Sequence, residues 1–183
     1  MLKQFRLHGR GGQGAVLGAE LLAKAAFLDG KMSQAFPFFG AERRGAPVKS
    51  FTRISDREIL LRSQIYDPDY VIIFDLKLLG IVDALDGLKR DGMVVVNSRK
   101  KPRELGLDFK VGVVNATDIA LKLNALVAGI PVVNTAMLGA VAKATREVSI
   151  ESITRAIREE WVGRTGDVNV ACAMNAYEST IVE

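Results

Sequence analysis

Between a short apolar strand and an apolar helix the chain carries His8-Gly-Arg-Gly-Gly-Gln-Gly14, and no other stretch constrains the fold as tightly. Leu2 to Leu7 alternates apolar and polar side chains, which predicts a half-buried strand. After Gly14, the run Ala15, Val16, Leu17, Ala19, Leu21, Leu22, Ala25, Ala26 has helical spacing and ends near Asp29-Gly30. Gly9, Gly11 and Gly14 therefore match G-x-G-x-x-G at a strand-to-helix turn, the context that gives this motif meaning. The glycines let the backbone turn sharply and let a ligand come close, while exposed N–H groups and the positive end of the helix dipole favour a phosphate. Gly12 and Gln13 complete the turn, and Arg10 adds a cation beside it. Gly9, Arg10, Gly11, Gly12, Gln13 and Gly14 are thus candidate cofactor-binding residues. The plainer alternative is a glycine turn that serves only close packing of helix on sheet.

A nicotinamide-binding unit needs a carboxylate at the end of its second strand to hold a ribose hydroxyl. That strand is expected at Lys31 to Phe36, followed by Pro37-Phe-Phe-Gly-Ala-Glu-Arg-Arg-Gly45. Glu42 falls in the loop, and Arg43 and Arg44, two further candidate phosphate ligands, follow it at once. Phe36, Phe38 and Phe39 surround Pro37, which lacks a backbone donor and so argues against a central strand. Aromatic rings in such a loop either fold back on the core or form a patch for a partner. The small, charged stretch Gly40 to Pro47 that follows favours the interface, with Phe36, Phe38, Phe39 and Glu42 as its residues.

Further along, Val48 to Ile54 reads as a strand, with Glu58 to Leu61 as a short hairpin partner. Tyr70 to Phe74 and Met93 to Val96 are continuous apolar runs, the mark of strands buried on both faces. Leu76 to Leu88 has a helical pattern, and Lys110 to Val114 is a further strand. A helix capped by Thr117 or Asp118 runs through Ile119, Leu123, Leu126 and Val127 and breaks at Gly129-Ile-Pro131. Asn134-Thr135 heads the next helix, Ser149 the one over Ile150 to Trp161, and Val168 to Val182 forms the last, after a turn at Gly163 to Gly166. This alternation predicts a single α/β domain over residues 1–183, a Rossmann-like three-layer sandwich with a mostly parallel sheet and helices on both faces. Ligands in such sheets bind outside the carboxyl ends of the strands, where Arg10, Gln13, Asp75, Asn97, Ser98 and Asn115 fall. Asn97 joins the candidate cofactor-binding residues on that ground.

Composition narrows the function. Cys172 is the only cysteine, so the chain forms no internal disulfide and cannot by itself hold an iron–sulfur cluster or a thiolate zinc site. No apolar run approaches the ~20 residues that span a bilayer, and the N-terminus lacks the sections of a signal peptide. A cytoplasmic protein without membrane contact is expected. The net charge of +4 is spread along the chain rather than gathered in a basic stripe, which argues against nucleic acid. Arg99-Lys-Lys-Pro-Arg103 reads as a solvated loop. No paired acid–base or activated nucleophile is visible, so the chain offers no catalytic residue and no metal ligand set.

Three strings beside the glycine turn carry a resemblance. Ala35-Phe-Pro-Phe-Phe-Gly-Ala-Glu-Arg-Arg-Gly-Ala-Pro-Val48, Ser63-Gln-Ile-Tyr-Asp-Pro-Asp-Tyr-Val71 and Val133-Asn-Thr-Ala-Met-Leu-Gly139 make the chain similar, over essentially its whole length, to gamma subunits of pyruvate (or 2-oxoisovalerate):ferredoxin oxidoreductases. The resemblance implies one subunit of an enzyme, inactive alone. The complex would oxidatively decarboxylate a 2-oxoacid, form acyl-coenzyme A and reduce ferredoxin. Its alpha, beta and delta subunits would hold thiamine diphosphate, magnesium and [4Fe-4S] clusters. This chain would bind no cofactor firmly and would help assembly and the placing of coenzyme A, whose phosphates suit a glycine turn flanked by arginines. Read without the resemblance, the same residues fit a free-standing Rossmann-type oxidoreductase, with Arg43 and Arg44 on the 2′-phosphate of NADP. A pure scaffold subunit is the third reading.

Overall fold

A computed structural model describes residues 1–38 and 45–183. The expectations placed on Phe39, Glu42, Arg43 and Arg44 lie outside the described residues. The elements run β1 (Leu2–Arg10), α1 (Ala15–Leu28), β2 (Met32–Phe38), β3 (Pro47–Ser55), β4 (Tyr70–Ile73), β5 (Met93–Asn97), β6 (Lys110–Val114) and α2 (Ala116–Lys122). They continue with β7 (Leu126–Val127), β8 (Ile130–Pro131), α3 (Asn134–Thr145), α4 (Ile150–Glu160), α5 (Gly163–Ser179) and β9 (Ile181–Val182).

The main sheet has the order β2-β3-β1-β4-β5-β6-β9. Strands β1, β4, β5 and β6 form its parallel centre, and β3 and β9 run antiparallel to their neighbours. The apolar runs predicted at β4 and β5 are buried on both faces, as a parallel centre requires. One face carries the larger core, where Phe5, Leu7, Ile72, Phe74 and Val95 meet α1, α3, α4 and α5. Gly139 is essential to that layer, because a Cβ there would stand 1.9 Å from the Ala173 carbonyl oxygen of α5. On the other face, Val71, Ile73, Val94, Val96 and Val113 are covered by Ala84, Leu88 and the partly buried Leu76, Leu79 and Leu105. That third layer consists of short 3-10 helices (Leu76–Gly80 and Pro102–Leu105) and turns rather than α-helix.

Several local expectations change. Phe36-Pro37-Phe38 is not a loop but the end of β2, paired with β3 from Phe51 to Lys49. Pro37 is accommodated because β2 is the outermost strand of the sheet, where a missing donor interrupts no ladder. The hairpin partner of β3 is therefore β2, and Glu58 to Leu61 forms no strand. Chain after it is drawn instead to Arg53, whose guanidinium donates to the carbonyls of Ser63 at 2.6 Å and Gln64 at 3.3 Å. Leu76 to Leu88 likewise fails to run as one helix. Arg6 draws off the carbonyls of Ala84 and Asp86, and Gly87 turns at φ 68° with a would-be Cβ 2.1 Å from the Tyr66 carbonyl oxygen.

Helix α2 stops at Lys122 and is capped by Asn115, whose Oδ1 accepts from the Asp118 N–H. Leu126 and Val127 pair with Ile130 and Pro131 in a small hairpin. Gly129-Ile-Pro131, expected to break that helix, lies beyond its end and instead turns the hairpin, with positive φ at both Ala128 and Gly129. Ser149 caps α4 through Ser152 as expected. Helix α5 begins at Gly163, where a turn was expected, and ends at Ser179, so that Ile181 and Val182 add the edge strand β9.

Candidate functional site

The site grows from β1. Its register puts Arg6, His8 and Arg10 on one face, since alternate residues of a strand share a side. Their neighbours on β3 are Phe51, opposite Arg6, and Lys49, opposite His8. At the carboxyl end of the strand the backbone enters the glycine turn. The Gly11 N–H donates to the Ala46 carbonyl at 2.9 Å, and the Gly45 N–H donates back to Gly11 at 3.2 Å. The Gln13 side chain accepts from the Arg10 N–H at 2.8 Å. Helix α1 then starts at Gly14, in left-handed conformation at φ 77°, with no side-chain cap and no acid in its first turn.

Two glycines of the motif are needed for packing. A Cβ on Gly9 would stand 2.9 Å from the Ala15 Cβ, and one on Gly14 would stand 2.6 Å from the Asn134 Nδ2. Gly12, at φ 97°, has open space around it. Gly9 and Gly14 thus seat α1 against the sheet and α3, while Gly12 has open space at the start of an uncapped helix.

Arg10 is committed locally. Its Nε donates to Asp75 Oδ2 at 2.6 Å and its NH1 to the Gly45 carbonyl at 3.1 Å. Burial works against the charge of Asp75, but hydrogen bonds from Arg10 and from the Lys77 N–H outweigh it and hold the carboxyl below its ordinary range. Asn97 is also engaged. Its amide donates to the Phe74 carbonyl and to Thr117 Oγ1, and its oxygen accepts from the Thr117 N–H, which ties the ends of β4 and β5 to α2. The carboxyl edge therefore brings together the glycine turn, Arg10, Asp75 and Asn97, as the fold class requires, with Arg10 and Asn97 each holding neighbouring chain.

Between Arg6 and Arg10 on this face stands His8. It is 3% exposed, and its Nε2 has no hydrogen-bond partner among the described residues. Burial, reinforced by Arg6 and Lys49, pushes its pKa down to about 3, so the ring is neutral at ordinary pH. Phe36 and Phe38 stand on the same sheet face at the edge. Phe36 tilts against Phe51 with centroids 5.1 Å apart and lies under the Arg53 guanidinium at 5.0 Å, while Lys49 sits 4.9 Å over Phe38. Both rings are half-buried in this chain.

Among the described residues no group of three His, Cys, Asp or Glu side chains is placed to hold a metal ion. Cys172 is buried, and burial pushes its thiol up to about 11, which keeps it from acting as a thiolate ligand. Among the described residues no helix is long and apolar enough to cross a membrane.

Comparison with known proteins agrees over the whole length. The family model for pyruvate ferredoxin/flavodoxin oxidoreductase matches residues 4–179. Pyruvate synthase subunit PorC of Methanocaldococcus jannaschii is 54% identical over 97% of this chain and 97% of its own. The pyruvate/ketoisovalerate oxidoreductases common subunit gamma of Thermococcus litoralis is 50% identical over 98% of this chain and 97% of its own. Among solved structures, pyruvate oxidoreductase subunit PORC of Thermotoga maritima superimposes with a TM-score of 0.86 at 35% identity, covering 100% of this chain and 98% of that one.

Proposed function

This chain belongs to the pyruvate ferredoxin/flavodoxin oxidoreductase family, and we propose from that premise that it is a gamma subunit whose task is to help assemble the complex and to place coenzyme A. The complex converts a 2-oxoacid and coenzyme A to acyl-coenzyme A and carbon dioxide, passing two electrons to ferredoxin. With a single cysteine, this chain does not have the thiolate set for a cluster, and among its described residues no acidic group is placed to hold a metal. Those groups belong to the alpha, beta and delta subunits in this reading, and the complex works in the cytoplasm.

The observation that carries the coenzyme A role is the start of α1. A 14-residue helix opens at the carboxyl edge of the parallel sheet behind a glycine turn, with no side-chain cap and no acid in its first turn. Orphan N–H groups at such a start favour an anion, and the diphosphate of coenzyme A supplies one. Arg10 shapes the rim rather than reaching for the ligand, because Asp75 holds it. Arg43 and Arg44 remain the proposed side-chain phosphate ligands. Phe38, with Phe39 and Glu42, is the proposed subunit contact, and Phe36 supports it from the edge strand.

Selection of the 2-oxoacid falls to the thiamine pocket of other subunits, so one gamma chain can serve both pyruvate and branched 2-oxoacids. The test is the Michaelis constant for coenzyme A in reconstituted complex carrying Arg43→Gln with Arg44→Gln. It should rise about ten- to a hundred-fold, from the loss of charge-assisted bonds, while the 2-oxoacid constant holds. Equal constants in fully assembled complex would leave the chain a scaffold.

A further inference from the structure

Beside the start of α3, where Thr135 donates to Asn169 and Asn134 abuts Gly14, the β7–β8 hairpin and the start of α5 border an open cavity of about 250 Å3 that no role above uses. Leu126, Val127, Val132, Trp161 and Val168 line it, with Arg164 as its one charged wall. Asn124, Thr165 and Asn169 add polar groups to its wall, and exposed apolar side chains stand in or next to it in the chain: Val127 is 66% exposed, Ile130, its partner across the hairpin, 40%, and Val162, beside Trp161, 89%. Single exposed apolar side chains are ordinary, but a cluster around a cavity marks an interaction site. The fold also spends conformational energy to present it. Of the three non-glycine residues with positive φ among the described residues, Asn124 precedes the hairpin and Ala128 lies in its turn. On the opposite wall, a Cβ on Gly166 would stand 2.1 Å from the Trp161 carbonyl oxygen, so only glycine lets the first turn of α5 close over that residue.

The charges say what kind of partner fits. Helix α5 has no side-chain cap and no acid in its first turn, and carries Arg164 there instead. A cation at a helix N-terminus has the wrong sign for the dipole, and a carboxylate would satisfy both. We infer that this patch docks another subunit of the same oxidoreductase complex, which inserts an apolar side chain into the cavity and sets a carboxylate against Arg164 and the start of α5. The volume suits one large side chain rather than a nucleotide-sized ligand. A second copy of this chain fits poorly, because a two-fold contact would bring Arg164 towards Arg164 with no acid in the cavity wall. The inference rests on the subunit reading above and names one surface that reading uses.

The experiment is co-expression of the complete complex with an affinity tag on an iron–sulfur subunit, followed by measurement of how much of this chain is retained and of its dissociation constant. Val127→Asp and Arg164→Glu should each weaken retention by about tenfold or more. Phe27→Asp, at an exposed position of α1, should not. Arg164 is exposed, so its reversal reports docking rather than folding. Wild-type retention of both patch variants overturns the inference and leaves the subunit reading standing. Failure of the wild-type chain to co-purify with any other subunit overturns both. Self-association of the isolated chain that Val127→Asp abolishes assigns the patch to a second copy and also overturns it.

Discussion

Arg10 and Asp75 are joined at 2.6 Å across the carboxyl edge of the sheet, and this pair fixes how the glycine turn sits over β4. Arg10 ends β1, and Asp75 follows β4 and caps the 3-10 helix after it. Removing Asp75 leaves a partly buried guanidinium bound, among the described residues, only to the Gly45 carbonyl. Asp75→Asn should cost about 1–2 kcal/mol of stability, less than a fully buried pair because both side chains keep some contact with water. Arg10→Gln should cost a similar amount, and the double variant less than the sum. Additive losses in thermal unfolding would show that the pair is not coupled. Because the Asp75 carboxyl is held below its ordinary range, its share of stability is present above that range and fades as pH falls through the lowered value.

His8 sets a second acid-sensitive term, in the same direction by a different route. Its pKa falls from 6.5 to about 3 on folding. Between those values the unfolded chain binds the proton and the folded chain does not. Stability that is full above pH 6.5 should therefore decline as pH drops towards 3, by up to about 1.4 kcal/mol per pH unit. His8→Leu removes the titrating ring and should flatten this part of the stability profile. An equally steep decline in the variant would assign the acid loss to other groups.

Phe36 and Phe38 separate two jobs that adjacent aromatics in a sequence blur together. Phe36 packs on Phe51 and under Arg53, so Phe36→Ser should destabilise the chain by about 1–3 kcal/mol, less than a fully buried ring. Phe38 ends the edge strand with Lys49 over its ring, so Phe38→Ser should cost less stability than Phe36→Ser and weaken assembly instead. Chain stability and subunit co-purification, measured on both variants, decide the division. A large stability loss for Phe38→Ser with normal assembly would return that ring to the chain's own core.

Much of this architecture was legible in the residues, for identifiable reasons. Buried parallel strands advertise themselves as apolar runs, and β4 and β5 stand where Tyr70 to Phe74 and Met93 to Val96 placed them. The carboxyl-edge residues follow from strand order alone. What pattern could not reveal was long-range capture of backbone by buried arginines. Arg6 reaches the 84–86 turn and Arg53 the 63–64 segment, across 78 and 10 residues of chain, and each replaces an element that local periodicity predicts. The same limit applies to Arg10: spacing put it beside the glycine turn, but only the fold brought Asp75 to it.

Gln13→Glu gives the sharpest test of the phosphate reading, because charge and structure then pull in opposite directions. The Gln13 side chain accepts from the Arg10 N–H, and a glutamate keeps that acceptor in nearly the same shape. The added negative charge lies just before the uncapped start of α1, where the dipole favours it by about 0.3–1 kcal/mol. The variant should therefore unfold at the same temperature as the parent or slightly higher. An anion meant to bind the same helix start would now be repelled. In reconstituted complex the Michaelis constant for coenzyme A should rise by roughly tenfold, a cost close to that dipole interaction plus direct repulsion, while the 2-oxoacid constant stays put. A variant that is equally stable, fully assembled and unchanged towards coenzyme A would show that α1 faces no phosphate, and that the glycine turn exists to seat the helix against Asn134.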